Sequence, residues 1–360
     1  MSPRAATPRS ARWSIRFRRR FPRTVASNPD ISDGRSRSVL SALLLPAAIC
    51  LTLALAAGSL FVGVTDIRLS GLIDGSATSE QSLILAASRI PRTAALLLAG
   101  SSMAIAGLIM QMMIRNRFVE PSTAGTVESA SLGLLLVTLF APAWPIWGKM
   151  LVAAGFAAAG TWLFLRLLRL VPLRDVLMVP LVGIMLGGII GAATTFLAYR
   201  TDLLQTMLAW TTGDFSGVLR GRYELLYIGF ALAVVAYIAA DRFTVAGMGR
   251  DFATNLGLNY RRVVALGLTI VSLITAVVVV SVGMIPFLGL IVPNVVSLMI
   301  GDNMRRAVPW VAVLGAAFIL ACDILGRLIR YPYEIPIGVV VGVIGSGMFL
   351  WLLLRKQHGR

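Results

Sequence analysis

The chain has 360 residues, of which 57% are hydrophobic and 14% charged, and its 33 Lys and Arg residues against 16 Asp and Glu residues give a net charge of +17. Because soluble domains carry about 25% charged residues, this composition excludes an ordinary soluble protein. Apolar runs of the roughly 20 residues needed to cross a bilayer recur after residue 38. We therefore expect an all-α, polytopic membrane protein.

The first 38 residues are predicted to form a disordered basic tail. They carry ten arginines against Asp30 and Asp33 and have no apolar periodicity, which is typical of segments that cannot bury a core. Such a tail is expected to stay in the cytoplasm and to contact anionic lipid. The transmembrane domain is expected over residues 39–355, and residues 356–360 form a second, short cytoplasmic tail.

The transmembrane domain is predicted to contain ten spans. An even number places both termini on one side of the membrane, and 24 of the 33 Lys and Arg residues fall on that side. The positive-inside rule therefore predicts cytoplasmic termini. The predicted bounds are 39–64, 93–114, 126–141, 147–168, 176–198, 225–240, 262–282, 286–300, 308–326 and 336–354.

The polar stretch RNRFVEPSTAGTVES, residues 115–129, interrupts two of these apolar runs. Arg115 and Arg117 suit the carboxyl end of a helix, Asn116 can cap it, and Pro121 blocks its continuation. The pattern predicts a turn between two spans, which the topology places at the cytoplasmic mouth.

A longer cytoplasmic loop is predicted at about residues 242–262. Asp251 suits the first turn of a helix, Phe252 and Leu256 would share one face, and Gly257 is placed to end it. The loop is therefore expected to contain a short amphipathic helix. From these residues alone, the helix could serve a partner or lie in the lipid headgroup layer.

The span predicted at 286–300 is short and follows the sequence Gly-Met-Ile-Pro at 283–286. Broken half-helices of this kind line transport cavities. A tight turn outside the membrane fits the same pattern equally well, and both interpretations stay open at this point.

The residues that carry chemistry are sparse. Glu128, Asp241 and Asp323 all fall near predicted span ends, which argues against an ion-driven carrier, and no Gly-x-x-x-x-Gly-Lys-Ser/Thr loop is present for ATP hydrolysis. The two cysteines lie in apolar runs, and the single histidine, His358, lies close to the carboxyl terminus. A histidine-based metal site or catalytic triad is therefore not expected, and we expect no metal site, catalytic residue, cofactor or nucleic-acid partner for this chain.

Four blocks of the sequence resemble the FecCD-type permeases, the iron-siderophore and cobalamin permeases of ABC importers. The variants FVEPSTAGT and VPNVVSL look most like the subgroup that serves catecholate siderophores. The four blocks are SRIPRTAALLLAGSSMAIAGLIMQMMIRNRFVEPSTAGTVESASLG (88–133), GRDFATNLGLN (249–259), VGMIPFLGLIVPNVVSLMIGDNMRRAVP (282–309) and DILGRLIRYPYEIPIGVVVGVIGSGMFLWLLL (323–354).

This resemblance implies the type II ABC-importer permease fold in a bacterial inner membrane. A ten-span subunit of this kind pairs with itself or with a sister permease around a central pathway. It receives an iron(III)-siderophore from a periplasmic or lipoprotein binding protein and works by alternating access, driven by separate ATPase subunits. An ion-coupled secondary transporter, a non-transporting scaffold, and the same ABC role with cobalamin or heme are the alternatives.

The resemblance also implies roles for single residues. The implied roles are docking of the binding protein at Arg89, Arg92 and Arg327, ATPase coupling at Gly249, Asp251, Ala253, Leu256 and Gly257, and a cytoplasmic gate at Asn116 and Phe118. The arginines also have alternative roles: Arg327 could form an ion pair with Asp323, four residues before it, and Arg89 and Arg92 could serve loop solubility or contact lipid headgroups.

Overall fold

The computed structural model describes residues 30–63, 78–170, 178–221 and 223–357. In chain order the α-helices are α1 (Asp30–Phe61), α2 (Ser79–Ile84), α3 (Ile90–Ile114), α4 (Thr126–Phe140), α5 (Ile146–Leu170), α6 (Met178–Arg200), α7 (Leu204–Thr211), α8 (Leu225–Ile238), α9 (Ala240–Gly247), α10 (Arg250–Asn255), α11 (Tyr260–Val282), α12 (Leu288–Ile300), α13 (Met304–Ile329) and α14 (Ile337–Gln357). A π-helical turn, Leu85–Arg89, joins α2 to α3, and a 3₁₀ turn, Pro121–Ala124, precedes α4.

Every predicted span corresponds to a helix of the described chain. Six helical segments are long and apolar enough to cross a membrane, α8 and α9 form one further span bent by 66°, and α4, α12 and α14 are shorter apolar helices. The prediction of an all-α membrane protein is confirmed. Helix α1 begins at Asp30, before the predicted tail boundary at residue 38, whereas residues 1–29 and 358–360 lie outside the described residues.

Helix α3 forms the centre of the unit Leu43–Arg360. In the most apolar 18-residue stretch of Ser79–Ile114, the segment that ends with α3, 83% of the residues are buried inside the chain, and glycines let neighbouring helices reach its backbone. A Cβ atom on Gly100 would lie 2.8 Å from the carbonyl oxygen of Gly315 on α13. Close approach through small residues is the usual basis of helix packing in lipid, where burial of apolar surface gives little drive to associate.

Helix α12 starts inside the bundle. Its 13 residues span about 20 Å, less than the roughly 30 Å of a bilayer core, and its N-cap residue Phe287 has a φ of 62°. A Cβ atom on Gly107 of α3 would lie 2.0 Å from the carbonyl oxygen of Gly289, so the two backbones touch. Of the two interpretations of residues 286–300, the half-helix is therefore correct.

Irregular backbone within the bundle is satisfied by other backbone groups. The N–H of Met284 donates to Thr211 at 3.2 Å, that of Asp214 to Val282 at 2.9 Å, and that of Gly338 to Gly213 at 2.8 Å. Non-helical backbone at membrane depth is tolerated only where it is buried in protein or lines a cavity. These bonds thus join the end of α7, the segment before α12 and the start of α14.

We predict that Gly107→Ala destabilises the protein by about 1–3 kcal/mol, because the added methyl group has to displace backbone. Thermal unfolding of the purified protein measures the effect. Gly155→Ala on α5 is the matched control, since no atom lies within 4 Å of its Cβ position. Equal melting temperatures for the two variants would contradict the packing described here.

Candidate transport pathway and its two ends

The predicted site residues lie at opposite ends of the bundle. Helix α3 carries Arg92 in its first turn, and α13 runs antiparallel to it, so that Asp323 near the end of α13 meets Arg92. We call the end that carries Arg89, Arg92 and Arg327 the arginine end. The other end carries residues 115–118 and 240–257, and we call it the gate end.

Asp323 is the centre of a buried ion cluster at the arginine end. It is 2% exposed; its Oδ1 accepts from Arg92 Nη2 at 2.7 Å and from Nε at 3.2 Å, and its Oδ2 pairs with Arg327 Nη2. Arg327 Nη1 also donates to the carbonyl oxygens of Ser59 and Val62, at 3.0 and 2.7 Å. The ion pair with Asp323, proposed as the alternative role of Arg327, is thus present.

Arg89 and Arg327 together cap the carboxyl end of α1. Arg89 is buried, and its Nη1 donates to the carbonyl oxygen of Leu60 at 2.7 Å. The last carbonyl groups of a helix lack intrahelical partners and carry partial negative charge, so two guanidinium groups stabilise them. Loop solubility therefore does not account for Arg89.

Arg92 has a second partner close to the surface. Its Nη1 donates to Glu334 Oε2 at 2.7 Å, and the Glu334 side chain is 31% exposed, against 13% for Arg92. Sequence reasoning missed Glu334, which lies 242 positions away in the chain. The only sequence feature that could have pointed to Glu334 is that it is a carboxylate in the polar stretch before the last span.

The predicted turn at the gate end is confirmed. Arg115 ends α3 in the left-handed conformation with a φ of 58°, and Asn116 Oδ1 accepts from the backbone N–H of Phe118 at 2.8 Å. Asn116 is 3% exposed, so its side chain closes the turn. The Phe118 ring meets the Phe349 ring of α14 edge-on at 6.0 Å between centroids, and Phe349 stacks on Phe287 at 6.3 Å.

The same turn is tied to the half-helix. Asn294 Nδ2 of α12 donates to the carbonyl oxygen of Arg117 at 2.9 Å, and Arg117 pairs with Asp302 at 2.7 Å. Further along, the buried carboxylate of Glu120 accepts from the backbone N–H groups of Phe287 and Gly289. The turn and the start of α12 are therefore held as one element.

The predicted amphipathic helix is α10. Asp251 lies in its first turn, and Gly257 follows it with a φ of 78°. The side chains of Phe252 and Leu256 are 51% and 59% exposed, whereas Ala253 is buried. Of the residues to which the resemblance gives a coupling role, Asp251 and Leu256 are therefore exposed, beside the exposed Phe252, and Ala253 faces inward.

Gly249 connects α10 to the gate turn. Its φ of 120° suits glycine alone, and a Cβ atom there would lie 3.4 Å from Arg115 Nη1. Helix α9 is held to α13 nearby, because the N–H of Met304 donates to Thr244 Oγ1 at 3.2 Å and Asp241 pairs with Arg305 at 2.5 Å.

Glu128 lies deep in the bundle. A Cβ atom on Gly187 would lie 3.2 Å from its Cδ, and one on Gly191 would lie 3.5 Å from its Cγ. These glycines are near the middle of α6, although Glu128 lies in the first turn of α4, near the end of its own span as expected. The reason is that α4 begins inside the bundle, after residues 115–125 have turned back into it.

In the described part of the chain, no group of three His, Cys, Asp or Glu residues is placed to hold a metal ion.

Comparison with known proteins decides the family. The profile of the FecCD transport family matches residues 48–355, most of the chain. The chain belongs to the FecCD transport family. It is 52% identical over 308 residues to the petrobactin import system permease protein YclN of Bacillus subtilis, a match covering 85% of this chain and 96% of that protein.

Two further FecCD-family relatives match over similar lengths. The petrobactin import system permease protein FatD of Bacillus anthracis is 44% identical, covering 87% of this chain and 91% of that protein. The ferric-anguibactin transport system permease protein FatD of Vibrio anguillarum is 40% identical, covering 84% and 95%.

A solved structure has the same fold. An inward-facing metal-chelate type ABC transporter superposes with a TM-score of 0.73 at 23% identity, covering 87% of this chain and 99% of that chain. The predicted ABC-permease fold is thereby confirmed. As a FecCD-family permease, the chain is a transport subunit and not an enzyme.

We predict that Asp323→Ala destabilises the protein by about 3–5 kcal/mol, because it leaves the buried charges of Arg92 and Arg327 without their shared partner. Asp241→Ala is the matched control, since its pair with Arg305 is 63% and 66% exposed and is worth less than about 1 kcal/mol. Thermal unfolding in detergent compares the two. A loss of equal size in both variants would contradict the central role of Asp323.

Proposed function

We propose that this FecCD-family chain is the permease subunit that moves an iron(III)-siderophore of the catecholate type across a bacterial inner membrane, with both termini in the cytoplasm. The observation that carries the proposal is the 52%, 44% and 40% identity to permeases named for petrobactin and ferric-anguibactin. More distant relatives are named for other cargo: a hydroxamate permease is 32% identical and a vitamin B12 permease 30%. Identity thus favours the first group over cobalamin or heme.

The transport cycle is alternating access driven by a separate ATPase, since the chain has no phosphate-binding loop of its own. ATP and Mg²⁺ act on that partner. A partner that binds one conformation better than the other shifts the population between outward-open and inward-open states. Because the turn at 115–118 and the start of α12 are held as one element, we expect them to move together when the helices reorient.

Coupling to the ATPase is assigned to α10. The outward pair Phe252 and Leu256 offers an apolar knob beside Asp251, while Gly249 and Gly257 supply the bends at either end of the helix. Contact of Gly249 with Arg115 gives a direct route from a displaced α10 to the gate turn. In this mechanism Phe118 closes the exit through its contact with Phe349, and Asn116 keeps the turn rigid.

Docking of a periplasmic or lipoprotein binding protein is assigned to the arginine end. Arg89 and Arg327 hold the end of α1, so their role is to shape this surface. Arg92 is the arginine that an acidic group of the binding protein can reach, in competition with Glu334. Such exposed contacts set orientation and association rate more than affinity.

A second permease subunit and lipid complete the assembly. The apolar part of α6 is only 28% buried within this chain, and that of α1 only 11%. Apolar faces of this kind are covered in the membrane by another subunit or by acyl chains. A homodimer and a heterodimer fit this requirement equally.

We expect proteoliposomes that contain the chain, its ATPase and its binding protein to take up ⁵⁵Fe-catecholate only with ATP inside. An ATPase variant that cannot hydrolyse ATP is the control, and ferric hydroxamate and cobalamin are competing cargo. Uptake by the chain alone on a proton gradient would overturn the ABC assignment. ATP-driven uptake of cobalamin in preference to the iron chelate would overturn the substrate assignment.

We predict that Phe252→Ser combined with Leu256→Ser lowers co-purification of the ATPase by at least about tenfold, because the variant removes both outward apolar side chains of α10 from the contact. Thr254→Ala, an exposed change on the same helix, is the control. Retention of the ATPase by the double variant would instead support the interpretation in which α10 only lies in the headgroup layer.

We predict that Glu334→Gln tightens docking of the binding protein by up to about fivefold, since the competing pair between the largely buried Arg92 and the partly exposed Glu334 lies near the surface, where an ion pair is worth up to about 1 kcal/mol. Surface plasmon resonance at two salt concentrations measures it, and the gain is expected mainly in the association rate. Glu224→Gln, another exposed carboxylate, is the control. Weaker or unchanged docking by Glu334→Gln would contradict the assignment of Arg92.

A further inference from the structure

A cavity of about 420 Å³ opens between α4, α6, α7 and the start of α14. Its walls combine small residues such as Gly191 with hydroxyl side chains, and Glu128 is the one ionisable group among the residues that line it. Neither the gate nor the two docking surfaces described above involves this cavity. We refer to it as the Glu128 chamber.

The Glu128 chamber reaches the middle of the bundle. Glu128 packs against Gly187 and Gly191, which are at least about 13 Å along α6 from either of its ends, from the helical rise per residue. An ionisable side chain at such a depth is costly to place and is by default functional.

The carboxylate of Glu128 does not have a full set of hydrogen-bond partners inside the described part of the protein. Among the described residues it accepts from its own backbone N–H, but its Oε2 is buried and has no hydrogen-bond partner. It forms no ion pair with any described residue. The start of α4 favours a negative charge through the helix dipole, yet this leaves Oε2, an acceptor beside the cavity, unsatisfied.

Of the five hydroxyl side chains that line the chamber, all but that of Thr195 donate to a carbonyl oxygen of their own helix. Ser131 donates to the carbonyl oxygen of Val127 at 2.8 Å, Thr194 to Ile190 at 2.7 Å, and Thr212 to Leu208 at 2.8 Å. A hydroxyl has one proton and two lone pairs, so each of these groups can offer the cavity only an acceptor. No Lys or Arg lines the chamber.

An acceptor-rich, donor-poor cavity with one carboxylate selects a particular ligand. A protonated amine satisfies the carboxylate and donates further bonds to the hydroxyl oxygens, and bonds between charged groups are roughly twice as strong as neutral ones. An anionic group would instead be repelled by Glu128 and would find only the Thr195 hydroxyl as a free side-chain donor. The volume suits an aliphatic ammonium arm, not a whole iron chelate.

We propose that the Glu128 chamber binds a protonated amine carried by the transported molecule, with Glu128 as its counter-ion. Glu128 then determines specificity along the pathway, and the three hydroxyl oxygens orient the ammonium group. The binding site stands on the geometry of this chain, whereas its use during transport rests on the proposed function.

The binding experiment uses the full chain in nanodiscs of zwitterionic lipid. Saturation-transfer difference NMR is recorded with butylammonium as the probe, and with butyramide and butyrate as its neutral and anionic counterparts. We expect a signal for butylammonium alone. Glu128→Gln should reduce its affinity by about tenfold or more, the cost of losing a charge-assisted bond, while Glu128→Asp retains part of it.

Glu224→Gln, at an exposed position outside the chamber, is the matched control and should bind like the unaltered chain. Melting temperatures of all variants establish that they are folded. No signal for butylammonium with the unaltered chain would overturn the proposal, as would an equal signal with Glu128→Gln.

The transport experiment separates this proposal from the proposed function. Proteoliposomes with the complete complex are given two ferric catecholates that differ only in one linker nitrogen, an amine in one and its acetamide in the other. The unaltered complex should prefer the amine, and Glu128→Gln should reduce that preference by about tenfold. An equal preference in the unaltered complex and in Glu128→Gln would show that Glu128 is not part of the pathway. Absent or ATP-independent uptake of both chelates would instead count against the proposed function, and the NMR result for the binding site would still stand.

Discussion

The contact between Gly107 and Gly289 is the constraint on which the remaining architecture depends. It sets the first turn of α12 against the carboxyl-terminal half of the central helix, where a Cβ atom on Gly107 would meet backbone at 2.0 Å. A helix that starts inside lipid has free N–H groups without water to bind. Glu120 and the neighbouring segments satisfy them, and this arrangement turns residues 115–125 back into the bundle.

The two ends of the bundle use charge differently. At the arginine end, Asp323, Arg92 and Arg327 are buried together, and breaking such a set is costly because a bare charge is left behind. At the gate end, the pairs of Asp241 with Arg305 and Arg117 with Asp302 are about half exposed or more, and such pairs contribute little. The gate end is therefore the end that can rearrange at low cost, which suits the contact with an ATPase.

Glu128 gains its significance from the same fold. In the sequence it follows a polar stretch and lies at the start of a predicted span, and the inward turn of residues 115–125 places that start beside the middle of α6. Around it, all but one of the hydroxyl groups donate to their own helices, so the lining offers mainly acceptors. The resulting chamber is lined by polar groups but by no basic side chain. Such a lining favours a cationic group over an anionic one, which is why we infer that its ligand is an amine.

The sequence by itself determined the membrane class, the ten helices, the turn at 115–118, the helix in the 242–262 loop and the family, because length, hydropathy, capping residues and motifs are properties of neighbouring residues. Only the tertiary structure decided that α12 is a half-helix, that Arg89 and Arg327 cap α1, that Glu334 joins Arg92 and that Glu128 lies at mid-depth. Arg92 and Asp323 are 231 positions apart, and no local pattern specifies such a pair. Helix packing brings these residues together, since small residues allow close approach and buried charges require partners wherever the fold supplies them.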